Sequence, residues 1–234
     1  MVAQEESLIG DVYAQIEQLW GPLSEQHREL LLANLRIRQY RKNEIIYKDL
    51  ETPKQMYYLI QGKVKIYKDG IGGRNQIIRV IKSGQFFGYR AFFAEEDYKT
   101  AGTALEPTFI ALIPTEIVVD LMKTNSNICF FYIKTLAAEL GVSDEKIISL
   151  TQKHIRGRLA EALLFLKDCY GVEEDGSTLS IYLSREDLAN LSSMTTSNAI
   201  RTLSSFSNEK LVAIDGRKIK LINEEELQKV SKLG

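Results

Sequence analysis

The chain has 234 residues, of which 44% are hydrophobic and 26% are charged, an ordinary composition for a soluble globular protein. This length allows two modest domains with separate cores, and no run approaches the roughly 20 apolar residues that a membrane-spanning helix needs. The formal net charge of −1 excludes a strongly basic or acidic protein and gives no electrostatic sign of a nucleic-acid partner.

The N-terminus and the cysteines both indicate a cytoplasmic protein. The first residues, MVAQEESLIGDVYAQ, are acidic and lack the basic and apolar regions of a secretory signal. Cys129 and Cys169 are the only cysteines, which suits a reducing compartment, and two thiols build neither a zinc site nor an iron–sulfur cluster. His27 and His154 are the only histidines, and His154 is expected to cap or hinge a helix. We therefore expect no metal and no cofactor.

The first half of the chain changes from helical to strand periodicity. Residues 7–35 predict two amphipathic helices, IGDVYAQIEQLW and SEQHRELLLANL, separated by Gly21-Pro22. From about residue 36 to residue 113, short alternating runs predict a small all-β barrel or roll. The runs are punctuated by glycines that fit turns, namely Gly62, Gly70, Gly72, Gly73, Gly84 and Gly88.

The β-rich region argues against an enzyme. Metal-dependent enzymes built on such barrels need about three histidines and a carboxylate on the barrel strands. Residues 36–113 contain no histidine, and the chain has no G-x-S-x-G, P-loop or H-E-x-x-H motif. The sequence therefore predicts a protein without catalytic residues.

Residues 125–152 contain no proline and predict one long helix. Six residues, spaced 4, 4, 3, 4 and 3 apart, share one stripe: Tyr132, Leu136, Leu140, Ser143, Ile147 and Leu150. Cys129, Phe130 and Ile133 are expected to pack this helix on its own β-region. Because a second stripe needs a second partner, the sequence predicts the seam of a parallel homodimer. A helix packed only on its own β-region is the alternative.

The segment 183–222 has the form of a helix-turn-helix, after a further helix, HIRGRLAEALLFLKDCYG. Ser184 is placed to cap the first short helix, and a second helix is predicted from near Thr195, after the polar break Ser192-Ser193. The residues predicted to face inward are Leu188, Ala189 and Leu191 in the first helix and Ala199, Ile200, Leu203 and Phe206 in the second.

A hairpin follows the two helices. The alternating runs LVAI and KIKLI flank Asp215-Gly216, a strong hairpin-turn signal. Two short helices followed by such a wing can read DNA, because the second helix can enter a major groove; two stacked amphipathic helices without DNA are the alternative. From His154 onward 11 Lys+Arg stand against 12 Asp+Glu, so DNA binding depends on local placement of the cations. The cations expected to face phosphates are Arg185, Arg201, Arg217, Lys218 and Lys220.

These motifs resemble the Crp/Fnr (cyclic-AMP receptor protein / fumarate-nitrate regulator) superfamily of bacterial transcription regulators. SREDLA, from Ser184 to Ala189, matches the pattern [ST]-R-x-[DE]-[IL]-[AG], and Gly216-Arg217-Lys218 matches the G-[RK] wing. YYLIQGKVKIY and SGQFFGYRAFFAEEDYKTA resemble a strand pair and the nucleotide cassette of the superfamily's β-roll. The recognition helix departs from the pattern, because Thr196-Ser197-Asn198 replaces Arg-Glu-Thr and only Arg201 is retained.

The resemblance covers nearly the whole chain and implies an α+β fold. It implies a cyclic-nucleotide-binding-like β-roll (jelly roll) with N-terminal helices over residues 1–124, a dimerisation helix over 125–153 and a winged helix-turn-helix DNA-binding domain over 154–234. The implied partners are double-stranded DNA, a second copy of the chain, RNA polymerase and an anionic small-molecule effector, with no membrane. A nucleotide-sensing module that does not bind DNA is a competing hypothesis.

The resemblance also implies roles for single residues at an inverted-repeat operator. Base edges are assigned to Thr196, Ser197 and Arg201, and the DNA backbone to Thr195, Asn198, Arg217 and Lys218, with Ser184 and Arg185 completing the candidate surface. Because the family's Arg-Glu is replaced by Thr-Ser, the operator is expected to differ from the TGTGA half-site of the cyclic-AMP receptor.

The candidate effector residues depart from those of cyclic-AMP binders. In the family a Glu grips the ribose hydroxyl, and an Arg and a Ser hold the cyclic phosphate; this chain has Tyr89, Lys99 and Thr100 at those positions. Tyrosine has no carboxylate, and lysine cannot form the bidentate arginine–phosphate contact. We therefore expect an anionic effector other than cyclic AMP, or an effector-independent protein with a vestigial pocket. The candidate effector residues are Gly88, Tyr89, Arg90, Lys99, Thr100 and Ser143. For two of them there is an alternative: Arg90 could pair with Glu95 or Glu96, and Ser143 could be a polar residue of the dimer seam.

Overall fold

The computed structural model describes residues 2–70 and 75–233, which form two compact units. The first unit contains residues 1–68 and 79–141, and the second contains residues 69–78 and 142–234. The predicted turn glycines Gly72 and Gly73 lie outside the described residues.

The first unit begins with two helices, α1 (Val2–Trp20) and α2 (Glu25–Asn34). The chain turns between them at Gly21, whose φ of 81° is unfavourable for other residues. The Ser24 hydroxyl caps α2 by accepting the backbone N–H of His27 at 3.3 Å. Both helices lie where the sequence predicts them, although α1 starts earlier than expected.

In the part of the chain that the structure describes, eight strands follow and form two four-stranded sheets. Their bounds are β1 (Arg36–Tyr40), β2 (Ile45–Tyr47), β3 (Gln55–Gln61), β4 (Lys63–Asp69), β5 (Asn75–Lys82), β6 (Phe86–Phe87), β7 (Ala101–Ala104) and β8 (Thr108–Pro114). One sheet has the order β1-β8-β3-β6 and the other β2-β7-β4-β5. The β1-β8, β3-β8 and β4-β7 pairs are antiparallel, so the predicted β-roll is confirmed.

Three more helices belong wholly or partly to this unit. They are α3 (Tyr89–Phe93), α4 (Thr115–Thr124) and α5 (Ser126–Gln152), and α5 continues into the second unit. A core joins α1, α2, the roll and the start of α5, with Trp20 stacked on Phe86 at a ring-centroid distance of 5.2 Å. Tyr132 of α5 is 2% exposed in this core.

The predicted seam on α5 needs correction. Tyr132 is buried in the core of its own unit, and Leu136 packs against the same core. By contrast, Phe130 and Ile133, expected to pack on the roll, are 57% and 60% exposed. The face of α5 that packs on the roll contains Ile128 and Tyr132, which lie four residues apart and are both buried. This face differs from the one that the sequence predicted to meet the roll. The exposed apolar stripe consists of Phe130, Ile133, Ala137, Leu140 and Ile147, interrupted by Asp144.

The second unit consists of the end of α5, residues 69–78 and a winged helical domain. Its elements are α6 (Ile155–Tyr170), α7 (Arg185–Leu191), α8 (Thr196–Asn208), β9 (Val212–Asp215), β10 (Lys218–Leu221) and α9 (Glu224–Leu233). Helix α5 ends at Gln152, and His154 occupies the N-cap of α6. Apolar residues of α6, α7, α8 and α9 form its core, including Leu163, Leu188, Phe206 and Leu227.

One inward-facing assignment in α8 is wrong. Ala199, Leu203 and Phe206 are buried as predicted, but Ile200 is 47% exposed, and Thr202 is buried. Ala199, Thr202, Leu203 and Phe206 follow the 3- and 4-residue spacing of one helix face, which leaves no room on that face for position 200.

Candidate DNA interface and effector region

Helix α7 is capped by its own first residues. The Ser184 hydroxyl accepts the Asp187 backbone N–H at 2.9 Å and donates to the Asp187 carboxylate at 2.7 Å. These bonds satisfy a free N–H of the first turn and place Glu186 and Asp187 at the positive end of the helix. The predicted cap is present, and the Ser184 hydroxyl is used inside the protein.

The turn between α7 and α8 holds a serine in a left-handed conformation. Ser193 has a φ of 54°, a region that favours glycine. Its side chain has a specific partner, because the amide nitrogen of Gln76 donates to the Ser193 hydroxyl at 3.0 Å and to the Asn190 carbonyl at 2.9 Å. Gln76 of β5, a residue of the second unit, therefore supports this turn, and local sequence patterns gave no reason to expect this contact.

An arginine fixes the same turn from the side of α6. The Arg158 guanidinium donates to the carbonyls of Ser192 at 3.2 Å, Ser193 at 3.3 Å and Lys153 at 3.0 Å. These bonds satisfy carbonyls at the end of α7 and of α5. A cavity of about 450 Å³ lies beside them. It is lined by Gly70, Asn75, Gln76, Ile155, Arg158, Asn190, Ser193, Met194, Thr195 and Asn198.

The start of α8 exposes the residues assigned to base reading. Thr195 caps the helix by accepting the Asn198 backbone N–H at 3.2 Å, and Thr196, Ser197 and Arg201 are exposed. The Arg201 guanidinium donates to the Asn198 side-chain oxygen at 2.5 Å. This face therefore combines two hydroxyls and an oriented guanidinium, all of which can bond to base edges.

The same face of α8 carries the apolar side chain of Ile200, which the sequence predicted to face inward. Ile200 is 47% exposed and lies between Thr196 and Ser204, four residues away on either side, on the surface of α8. An exposed apolar side chain on a reading helix suits contact with a thymine methyl group. The signal available in the sequence was that Ile200 falls outside the phase of Ala199, Leu203 and Phe206.

The far end of α8 is held by an ion pair. The guanidinium of Arg156 donates to both carboxylate oxygens of Glu209, at 2.8 and 2.7 Å. Hydrogen bonds from Arg156 and then from Ser205 lower the pKa of Glu209 to about 2. This bidentate contact ties the C-terminal end of α8 to α6.

The wing is tied to α7. Strands β9 and β10 pair antiparallel around Gly216, and the Arg185 guanidinium donates to the Gly216 carbonyl at 2.6 Å. Arg217 is exposed at the tip. Arg185, assigned to phosphate contact, therefore also fixes the position of the wing.

Acidic residues accompany the wing lysines. Lys218 lies 3.8 Å from the Glu173 carboxylate and 5.6 Å from the centre of the Tyr182 ring, and Lys220 lies 3.3 Å from Asp175. Hydrogen bonds from the Thr178 backbone N–H, and further bonds from Thr178, Ser177 and Lys220, hold the pKa of Asp175 well below its usual range. Both lysines therefore have carboxylate partners within the protein, which the charge count alone did not reveal.

The effector region contains an internal contact in place of the ribose-reading acid. Gly88, with a φ of 81°, precedes α3, and Tyr89 is 1% exposed in the core. The Tyr89 hydroxyl donates to Glu139 Oε1 on α5 at 2.7 Å. Burial and then the Glu139 charge raise the pKa of Tyr89 well above its usual value, so this hydroxyl keeps its proton and acts as a donor.

The other candidate effector residues of the first unit also have protein partners. Arg90 donates to Glu96 at 2.6 Å, and Lys99 forms an ion pair with the same carboxylate. Hydrogen bonds from Lys99 and Arg90 lower the pKa of Glu96. Burial raises the pKa of Tyr47 to about 12, against an opposing effect of Thr100. The structure therefore shows Arg90 in its alternative role, paired with Glu96. Ser143 is exposed on the part of α5 that belongs to the second unit.

Two features that would indicate other classes of protein are absent from residues 2–70 and 75–233. Within that part of the chain, no group of three or more histidine, cysteine, aspartate or glutamate residues is placed to hold a metal ion. None of its helices combines the length and apolarity required to cross a membrane.

Family models and curated relatives match both units. The model of the cyclic nucleotide-binding domain matches residues 37–125, and that of the Crp-like helix-turn-helix domain matches residues 157–230. The chain is 23% identical over 192 residues to the cAMP-activated global transcriptional regulator CRP of Pasteurella multocida, covering 82% of this chain and 92% of that protein. It is 24% identical over 189 residues to the anaerobic regulatory protein of Bacillus subtilis, covering 80% and 79%.

Solved structures share the fold. FixK2 from Bradyrhizobium japonicum aligns with a TM-score of 0.76 at 23% identity, covering 84% of this chain and 96% of that one. A transcriptional regulator of the CRP family from Thermus thermophilus aligns with a TM-score of 0.71 at 20% identity, covering 83% and 96%. With a cyclic-nucleotide-binding-type roll, a long helix and a Crp-like helix-turn-helix in this order, the chain belongs to the Crp/Fnr family of transcription regulators.

Proposed function

We propose that this regulator acts as a cytoplasmic homodimer that binds an inverted-repeat operator, with RNA polymerase as a further partner. The observation that carries the proposal is the exposed N-terminal face of α8, where Thr196, Ser197 and Arg201 stand together above a supported turn. Helix-turn-helix proteins of this class place that end of the second helix in the major groove. The two-fold symmetry of a dimer then requires two half-sites about one helical turn apart.

The side chains on α8 suggest which contacts read sequence. We assign Arg201 to guanine, through O6 and N7, and Thr196 and Ser197 to neighbouring base edges. Ile200 adds an apolar contact that favours thymine at one position. This set lacks the Arg-Glu pair usual in the family, which supports a half-site other than TGTGA.

A second group of residues is assigned to the DNA backbone. Thr195 and Asn198 begin α8, and Arg217 and Lys218 lie at the wing. Contacts to phosphates fix the register of the protein on the duplex without reading its sequence. Arg185 contributes in this proposal mainly by holding the wing through Gly216.

The exposed stripe on α5 is the proposed dimer seam. Phe130, Ile133, Ala137, Leu140 and Ile147 repeat at the 3- and 4-residue spacing of a coiled coil. Three of them, Ile133, Leu140 and Ile147, are about 60% exposed in the single chain, which is costly for apolar side chains in water. A parallel second copy would bury them. This seam drops Tyr132 and Leu136 from the predicted one and keeps Leu140 and Ile147. Leu150, which is 43% exposed, stays a predicted seam residue at the end of α5.

The experiment that tests this proposal selects binding sites for the full-length protein from a random duplex library. We expect an inverted repeat whose half-sites differ from TGTGA. Arg201→Ala should then weaken binding by about 1–3 kcal/mol and relax one position in each half-site. The matched control is Arg217→Ala, which should weaken binding about equally for all sequences and leave the selected site unchanged.

Three outcomes would contradict the proposal. A site without two-fold symmetry would argue against a symmetric dimer on DNA. Recovery of TGTGA would show that the substituted residues of α8 do not set the sequence preference. No enrichment of any sequence would favour the competing hypothesis of a nucleotide-sensing module without DNA binding.

A further inference from the structure

Three elements of the first unit meet at one carboxylate. Glu139 of α5 accepts a hydrogen bond from the Tyr89 hydroxyl of α3 at 2.7 Å, and the Arg79 guanidinium of β5 forms an ion pair with the same oxygen. The Tyr89 side chain is buried, while the side chains of Arg79 and Glu139 are 31% and 25% exposed. Because burial has removed much of the water around these groups, breaking one of these contacts leaves a polar group that water cannot fully satisfy.

The surroundings of this contact are occupied by aromatic rings. A side chain at Gly88 would lie 2.5 Å from the Tyr57 ring. Tyr47 stacks on Tyr98 with a centroid distance of 4.0 Å, and Tyr57 stacks on Phe87 at 5.1 Å. All four rings are buried in one cluster. The protein itself therefore fills the interior next to the Gly88 turn.

Polar groups at the mouth of this region are likewise satisfied from within. Arg90 and Lys99 share the Glu96 carboxylate. An anionic ligand at this corner would have to displace Glu96 from two cations. A ligand with hydroxyl groups at the Gly88 turn would have to break the bond between Tyr89 and Glu139. Each exchange breaks contacts that the protein already makes, which lowers the binding energy that an effector can gain at this site.

We propose that the triad Arg79–Glu139–Tyr89 is a built-in tether that fixes α5 against the β-roll and makes DNA binding independent of a small-molecule effector. The tether lies beside the dimer seam, because Glu139 directly precedes Leu140. A ligand-controlled regulator needs a molecule that binds one arrangement of this helix better than another. In this protein the contacts of Glu139 with Tyr89 and Arg79 already hold α5 in one position against the β-roll. The inference rests on the proposed function and decides between the two expectations drawn from the sequence, an effector-controlled regulator and an effector-independent one.

The test measures the affinity of the purified full-length protein for its selected operator, after native mass spectrometry has verified that no small molecule is bound. The wild-type protein should bind fully without additive, and millimolar cyclic AMP should change its affinity less than twofold. Tyr89→Phe removes one hydroxyl and keeps the ring, and Glu139→Gln removes the charge. Each should lower specific affinity at least tenfold, about 1.4 kcal/mol.

Tyr13→Phe is the matched control. The Tyr13 hydroxyl also donates to a glutamate, Glu17, at 2.8 Å, but both residues lie on α1 and do not bind α5 to the roll. This variant should bind DNA like the wild type. A wild-type protein that needs cyclic AMP or another added nucleotide before it binds would overturn the proposal. So would triad variants with wild-type affinity.

A readout without DNA separates this inference from the proposed function. Hydrogen exchange of the backbone amides in residues 136–150 of α5 should become at least tenfold faster in Tyr89→Phe and stay unchanged in Tyr13→Phe. If the wild-type protein binds no DNA, the proposed function fails while the tether is still judged by this measurement. Equal exchange in the wild type and in both triad variants shows that no tether exists.

Discussion

Ser193 illustrates, at the scale of one residue, how strain and a side-chain contact offset each other. A left-handed conformation costs a non-glycine residue about 1–2 kcal/mol, and a hydrogen bond contributes about 0.5–1.5 kcal/mol. Ser193 adopts that conformation with a φ of 54°, and its hydroxyl accepts a bond from Gln76 at 3.0 Å. Glycine would remove the strain and the bond together, so Ser193→Gly should change the stability of the second unit little.

A double-mutant cycle with Gln76 checks this balance. Gln76→Ala removes the donor to Ser193 and to the Asn190 carbonyl and should destabilise the α7–α8 turn by about 1 kcal/mol. In the Gln76→Ala background, Ser193→Gly should then stabilise by about 1 kcal/mol, because only the strain remains to be relieved. Native-state hydrogen exchange of α7 and α8 amides measures both effects. If Ser193→Gly has the same effect in both backgrounds, the bond does not offset the strain.

Local signals predicted single residues well, and distant contacts could not be predicted. The Ser184 cap and the Gly216 turn depend on a few neighbouring residues, and both are present. The partner of Tyr89 is Glu139, 50 residues away, and the sequence near either residue does not predict the contact. The sequence therefore showed that the ribose-reading acid is missing, but not what the tyrosine does in its place.

At the scale of one element, α5 shows why a stripe can be assigned with the wrong phase. Apolar residues occur on more than one face of this helix, since one face packs on the roll and another is exposed. The spacing of the apolar residues alone does not determine which face of α5 packs on the roll. The size and position of Tyr132 decide it, because its ring contacts Trp20, Phe86 and Phe93 in the core. The length of the helix followed from the sequence, and its orientation required the tertiary packing.

The corrected stripe makes a prediction about association. Leu140 is 63% exposed in the single chain and lies in the centre of the stripe. Leu140→Asp would bring two carboxylates together in a desolvated seam and should give monomers in sedimentation velocity. Val142, 55% exposed, lies on α5 but outside the 3- and 4-residue repeat, so Val142→Asp should leave the dimer intact. A dimer that survives Leu140→Asp, or is lost in Val142→Asp, places the interface elsewhere.

At the scale of the whole molecule, the distribution of charge matters more than its sum. A net charge of −1 provides no general attraction for DNA, so affinity that does not depend on sequence must come from a few cations at the reading surface. Arg217 is exposed at the wing tip, whereas Lys218 and Lys220 lie next to Glu173 and Asp175. These carboxylates compete with phosphates for the lysines and should keep non-specific binding weak.

Removing one of these carboxylates should therefore increase the non-specific affinity for DNA. Glu173→Gln takes away the partner of Lys218, at 3.8 Å, and should strengthen binding to random duplex DNA at low salt. One additional phosphate contact should steepen the slope of log affinity against log salt by up to about 0.9. Glu225→Gln on α9 makes the same change in net charge at an exposed carboxylate outside the two wing ion pairs and serves as the control. We expect only Glu173→Gln to gain affinity, because screening over about 10 Å limits the effect of each carboxylate to its neighbours. If both variants gain affinity equally, the overall charge of the protein governs non-specific binding instead.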